Sequence, residues 1–300
     1  DIFRVSGGHK HAYRLFSELA ASDAVGGTLS FTGLEMPPEP PLPQIGASTR
    51  SEDIYGLRDV RTAAAPSAWQ AEWRQPDRAC RLWMLTPATS VQAANGPGQE
   101  SGKPMGRRVR YLDTVRTGDN LASTFVAVHE PSGPGGTMPV RRAARLEVPR
   151  EAGPDAVALR VESKWGTYLI FNAFANEAEV EGVRFQGAFG VLGQTAEGRQ
   201  WLFAAGARTL QQQGFGFAGA TARWSAKVER NSGSAITSAT PAPGDWPVLP
   251  EGCQNHVLVH DGAYRTGFPV RSANNREIVV HRFPLPQIKE FDLPAVRYNP

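Results

Sequence analysis

Two cysteines in 300 residues leave little room for cysteine chemistry. Cys80 and Cys253 permit one bridge in an oxidising compartment, or two free buried thiols. No C-x-x-C pair exists from which a cysteine zinc site is built. No stretch approaches the roughly 18 consecutive apolar residues of a membrane-spanning helix. Lysine and arginine form no run long enough for a nucleic-acid tail. The net charge of +3 is small; it permits an acidic partner, such as an anionic polysaccharide, without requiring one. The nucleophile elbow G-x-S-x-G and the P-loop are missing. The glycine cluster at Gly214, Gly216 and Gly219 lacks the strand–helix context of a dinucleotide fingerprint. Clean 3.6-residue periodicity is missing as well: Ala204 to Gln213 is the best helical candidate, and a poor one.

What remains is a turn-rich, strand-rich chain. Glycine (31) and proline (24) are both plentiful, and 41% hydrophobic with 20% charged residues describes a globular protein. Trp69–Trp73 alternates, and Cys80–Leu85 follows a Gln75-Pro76-Asp77 turn. Arg107–Val115 and Ser123–Val128 flank a Thr117-Gly118-Asp119-Asn120 turn and read as a hairpin. The proline-rich run from Glu35 to Gly46 reads as an extended connector, and Ala47 to Pro66 as a polar loop with a possible helical turn. Glu181 to Leu192 is a glycine-punctuated strand, the pattern of a bulge or a close backbone approach. Strands at this spacing predict an all-β chain: a large antiparallel β-sandwich with a further C-terminal β-sheet region. A soft boundary at Pro149–Pro154 divides it into residues 1–150 and 151–300, unless one sandwich spans both.

The sharpest local feature is Asp1–Leu15, two short strands joined by Gly7-Gly8. His9, His11 and Tyr13 recur at every second position and therefore share one face of a strand. Two imidazoles and a phenol suit a metal (with Asp1 as a conceivable further ligand), a proton transfer, a sugar, or an ordinary half-buried strand. His129 ends a strand beside Glu130, a pairing that raises an imidazole pKa and tunes it for proton transfer. His256 and His260 flank Val257-Leu258-Val259 and read as the two ends of one strand. Trp69, Trp73 and Trp83 stack on sugars if exposed, but tryptophans at alternating strand positions are core residues more often.

Three strings, DIFRVSGGHKHAYRL, WQAEWRQPDRACRLWML and RRVRYLDTVRTGDNLASTFVAVHEP, resemble the C-terminal β region of heparinase II/III-like polysaccharide lyases. The likeness covers Asp1 to about Ala175 and continues more loosely through VRFQGAFGVL and WLFAAGARTL. It implies an N-terminal helical toroid ahead of the β region in the same chain. It further implies β-elimination on uronic-acid polysaccharides and a periplasmic or extracellular location. The opening residues read as a strand interior, as expected of a segment cut from a longer protein. The family's early β strands carry an H-x-H-x-D-like stretch and zinc-type ligands. Here His9-Lys10-His11 runs into Ala12-Tyr13, so no family catalytic residue carries over. His9, His11, Tyr13 and His129 stand as candidate substrate-facing residues. No metal site or cofactor is expected within this segment, any zinc being held upstream. Alone, the segment is expected to be inactive, bracing the catalytic domain and lining part of its cleft. The alternative is a non-catalytic carbohydrate-binding or structural β-sandwich.

Overall fold

A computed structural model describes residues 1–18, 28–38, 57–75, 78–97, 108–133, 137–232, 234–247, 255–260, 265–280 and 288–299. Apart from a 3-10 turn at Arg150–Ala152, every regular element among them is a strand. The chain is all-β and builds several antiparallel sheets. It divides into two compact units, Asp1–Arg145 and Leu146–Pro300; the sequence boundary lies at 150/151.

The first unit contains β1 (Ile2–Ser6), β2 (Lys10–Glu18), β3 (Thr28–Thr32), β4 (Arg58–Ala65) and β5 (Trp69–Arg74). It continues with β6 (Ala79–Met84), β7 (Ala88–Pro97), β8 (Arg108–Thr117) and β9 (Ala122–Ser132), while β10 (Val140–Leu146) runs across the division. One sheet has the order β1-β9-β6-β5-β3 and the other β2-β8-β7-β4. Trp69, Ala71 and Trp73, Leu82 and Met84, and Phe125 and Ala127 come from the first sheet. They share one core with Tyr13, Ala65, Val91, Ala93 and Leu112 of the second. Two sheets with one apolar filling are a sandwich. Alternation explains it locally: Trp69–Arg74 is buried at every second residue.

Two strand pairings differ from the sequence expectation. β1 pairs with β9 and β2 with β8, so the Gly7-Gly8 turn joins strands of different sheets. The same holds for β8 and β9, which do not form a hairpin. Alternating apolar residues do not reveal whether two linked strands pair edge to edge or pack face to face. Here the two corners run side by side and satisfy each other. Gly7 N donates to Leu121 O (2.7 Å), Gly118 N to His9 O (3.1 Å) and Leu121 N to Gly8 O (3.2 Å). Gly7 and Gly8 hold φ of +86° and +79°, conformations that glycine adopts without steric cost. β4 occupies a segment the sequence suggested was a loop with a helical turn. Its Ala63 and Ala65 are buried, but alanine carries little strand signal. The proline connector is described only to Pro38; its remainder lies outside the described residues.

The second unit contains β11 (Val157–Ser163), β12 (Gly166–Val180), β13 (Val183–Thr195), β14 (Gln200–Gln212) and β15 (Phe215–Phe217). These pair in order, and β22 (Val296–Asn299) also pairs with β14. The other six strands close a barrel, β16-β17-β20-β19-β18-β21. They are β16 (Arg223–Asn231), β17 (Ala235–Ser238), β18 (Asn255–His260), β19 (Arg265–Ala273), β20 (Glu277–Val280) and β21 (Glu290–Pro294). Ala295 is the single residue between barrel and sheet. Its N–H donates to Ala222 O, and its carbonyl accepts from Gly206 N, both at 2.8 Å.

The helical candidate at Ala204–Gln213 lies almost wholly within β14. Its buried Ala207 and Leu210 are three apart because of a bulge, not a helix, while the step from Ala204 to Ala207 contains Gly206 at φ +61°. Gln186 and Gly187 are consecutive, yet they pair with Thr209 and Ala207. One extra residue on β14 shifts the alternation by one. Gly187 makes the approach possible: a Cβ there would lie 2.4 Å from Ala207 Cα. Inside these long strands Phe171, Phe174 and Phe185 pack with centroids 5.2–5.9 Å apart.

Candidate functional site

β1 and β2 are the edge strands of their sheets, and Tyr13 reaches from one sheet to the other across that edge. Its ring stacks on Phe125 (5.7 Å, 25°) and meets Phe3 at 6.3 Å. Its hydroxyl donates to Asp1 Oδ2 at 2.7 Å and lies 3.0 Å from His129 Nε2. A carboxylate only accepts, so the phenolic hydrogen belongs to Asp1 and His129 Nε2–H donates to the phenolic oxygen. Asp1 and Ala127 exchange backbone bonds at 2.7 and 2.9 Å, extending the β1–β9 ladder to the residue whose side chain holds Tyr13.

Burial pushes the Tyr13 phenol above its ordinary value. His129 is exposed as a residue, but its Nε2 end is tucked against Tyr13. Burial of that end holds the imidazole below its ordinary value. The expected upward shift from Glu130 is not found, because the Glu130 side chain points to the opposite face of β9. There its carboxylate is buried and accepts from Trp83 Nε1 (3.2 Å) and Val140 N, with Arg81 at 3.5 Å. At the edge, a protonated phenol and a neutral imidazole thus lie in contact. One suits proton donation and the other proton acceptance at neutral pH.

The remaining candidates separate. His9 precedes β2 in the corner and pairs with Asp119 at 3.0 Å on the surface. His11 is buried (5% exposed). Its Nε2 donates to Gly7 O, and its Nδ1 lies 2.9 Å from Ser123 Oγ. Both nitrogens are engaged, so His11 fastens the two corners together. Of the three residues spaced by two, only Tyr13 joins His129. Asp1 serves that hydroxyl, and no group of three or more His, Cys, Asp or Glu able to hold a metal occurs among the described residues. Trp69, Trp73 and Trp83 are 2%, 8% and 8% exposed, which makes them core. Cys80 is a free thiol, raised by burial; Cys253 lies outside the described residues.

One constellation had no signal in the sequence. Ser225 Oγ donates to Asp292 Oδ1, and His260 Nε2 lies 3.0 Å from Asp292 Oδ2. The acid sits between serine and histidine, so no base contacts the hydroxyl and no nucleophile is activated. His256, at the other end of β18, is exposed. Ser123 and Asp292 were invisible for one reason: their partners lie far away in sequence, and only strand register unites them.

The fold and this edge define the class: an all-β protein of two units, with a Tyr–His–Asp cluster on the open side of its first sandwich. No family model and no curated protein matches the chain.

Proposed function

We propose that the chain is the β region of a polysaccharide lyase acting on uronic-acid polymers by β-elimination, with the Asp1–Tyr13–His129 edge lining the substrate cleft. The observation that carries this reading is the Tyr13–His129 contact at an open sandwich edge. It couples a phenol held protonated to an imidazole held neutral. In β-elimination a base takes the proton α to the uronate carboxylate. The electron pair forms the new C=C bond as the C–O bond at C4 breaks, and an acid protonates the departing oxygen. His129 has the protonation state of the base, through Nδ1 because Nε2–H is donated to Tyr13, and Tyr13 has that of the acid, while Asp1 orients the phenol. Neutralising the uronate carboxylate falls to a helical domain of the same polypeptide. The family's zinc finds no fit here: no ligand group converges among the described residues, and both His11 nitrogens are occupied. The partner is an anionic polysaccharide, and the location periplasmic or extracellular.

The test expresses the full open reading frame beside the 300-residue chain and follows unsaturated uronate absorbance on alginate, heparin and chondroitin sulfate. The long form is expected to cleave at least one polymer and the isolated chain none. Tyr13→Phe and His129→Gln in the long form each cut the rate by about a hundredfold or more. Wild-type rates in both variants would remove these residues from the cleft, and a long form inert on all three polymers would overturn the lyase reading.

A further inference from the structure

We infer that the outer face of the second unit's sheet, centred on Tyr168 and Trp201, is a carbohydrate-binding platform on which pyranose rings of a polysaccharide stack. The sheet register builds it. Tyr168, Gly193 and Trp201 lie opposite one another on three adjacent strands, on the face away from buried Leu169, Leu192 and Leu202. A Cβ at Gly193 would lie 2.2 Å from Trp201 Cε2, 2.4 Å from Nε1 and 2.5 Å from Cζ2. Three nearly equal distances to three bonded ring atoms place that point above the ring face, not at its edge. The indole therefore lies flat on the glycine and turns its other face outward, and any other residue at position 193 would lift it. Tyr168 stands beside it, with centroids 6.0 Å apart and planes at 58°.

The next row continues the strip. Phe203 lies opposite Tyr298, which is 49% exposed, and packs 6.2 Å from Phe189. At the hairpin end beside the first row, Trp165 is 58% exposed and its carbonyl is tied to Ala196 N at 2.9 Å. Neither row carries a charged residue: they read Val161-Tyr168-Gly193-Trp201 and Leu159-Ile170-Val191-Phe203-Tyr298, buried at Val161 and Leu159 and open towards Tyr298. A flat indole flanked by phenols matches the apolar face of a pyranose, whose C–H bonds point at the negative ring face. Its equatorial hydroxyls meet the tyrosine hydroxyls at the margins. The sequence places the glycine and the aromatics in three separate strands; only the register makes a platform of them. The inference does not depend on the lyase reading.

The test titrates the 300-residue chain with alginate hexasaccharide and cellohexaose, followed by tryptophan fluorescence and calorimetry. At least one sugar is expected to bind with a change in indole emission. Trp201→Ala weakens that binding by about tenfold or more, Trp201→Phe keeps most of it, and His256→Ala, at an exposed barrel position, leaves it unchanged. Circular dichroism identical to wild type certifies the fold of each variant. Failure of both sugars to bind overturns the inference, as does wild-type affinity in Trp201→Ala. Sedimentation showing self-association lost in Trp201→Ala assigns the face to a second copy and equally overturns it. Sugar binding lost in Tyr13→Phe but kept in Trp201→Ala removes this platform while leaving the edge site standing.

Discussion

Replacing Tyr13 by phenylalanine removes one oxygen and separates what holds the edge from what fills the core. The ring, 7% exposed and stacked on Phe125, stays in place. The lost hydroxyl made two bonds, to Asp1 Oδ2 and His129 Nε2. A buried bond to a charged group is worth about 1.5–3 kcal/mol and a neutral one about 0.5–1.5 kcal/mol. Asp1 and His129 are both exposed as residues and regain water when the hydroxyl goes. The net loss should therefore be about 1–2 kcal/mol. Tyr13→Ala removes the ring too and should cost about 3–5 kcal/mol. Urea unfolding followed by tryptophan emission reads both, because Trp69, Trp73 and Trp83 lie in the first unit. A double-mutant cycle with His129→Gln should return a coupling of at least about 0.5 kcal/mol. A Tyr13→Phe loss below about 0.5 kcal/mol, with no coupling, would mean that the hydroxyl is solvated and the edge cluster does not exist.

Acid should weaken the first unit through His129. Its folded-state pKa lies below its ordinary value of 6.5, so in that window the unfolded chain binds the extra proton. The contribution is whole above the unfolded value and is lost as pH falls through the folded one. His129→Gln should flatten the pH dependence of the urea midpoint on the acid side of neutrality; an unchanged slope contradicts the assignment. In the second unit, Gly187→Ala should destabilise by about 2–4 kcal/mol, because φ is +153° and the new methyl meets Ala207 backbone and side chain. Thermal unfolding that leaves this variant within about 0.5 kcal/mol of wild type would show that the bulge relaxes freely.

By itself the sequence determined that the chain is β and where many of its strands run, because a period of two is written in neighbouring residues. Trp69, Ala71 and Trp73 declare their buried face without a partner in view, and the glycines of Glu181–Leu192 announce a close backbone approach, realised at Gly187. Local pattern stops at pairing. Nothing in Asp1–Leu15 distinguishes a hairpin from a corner between sheets, and that choice decided which histidines meet anything. The corner exposes His9 and buries His11 against Ser123. Tyr13 is carried to Asp1 and to His129, 116 residues away. The same holds for Gly193 beneath Trp201. Side-chain alternation is a property of one strand, whereas register and packing belong to pairs of strands, and both candidate surfaces are made of pairs.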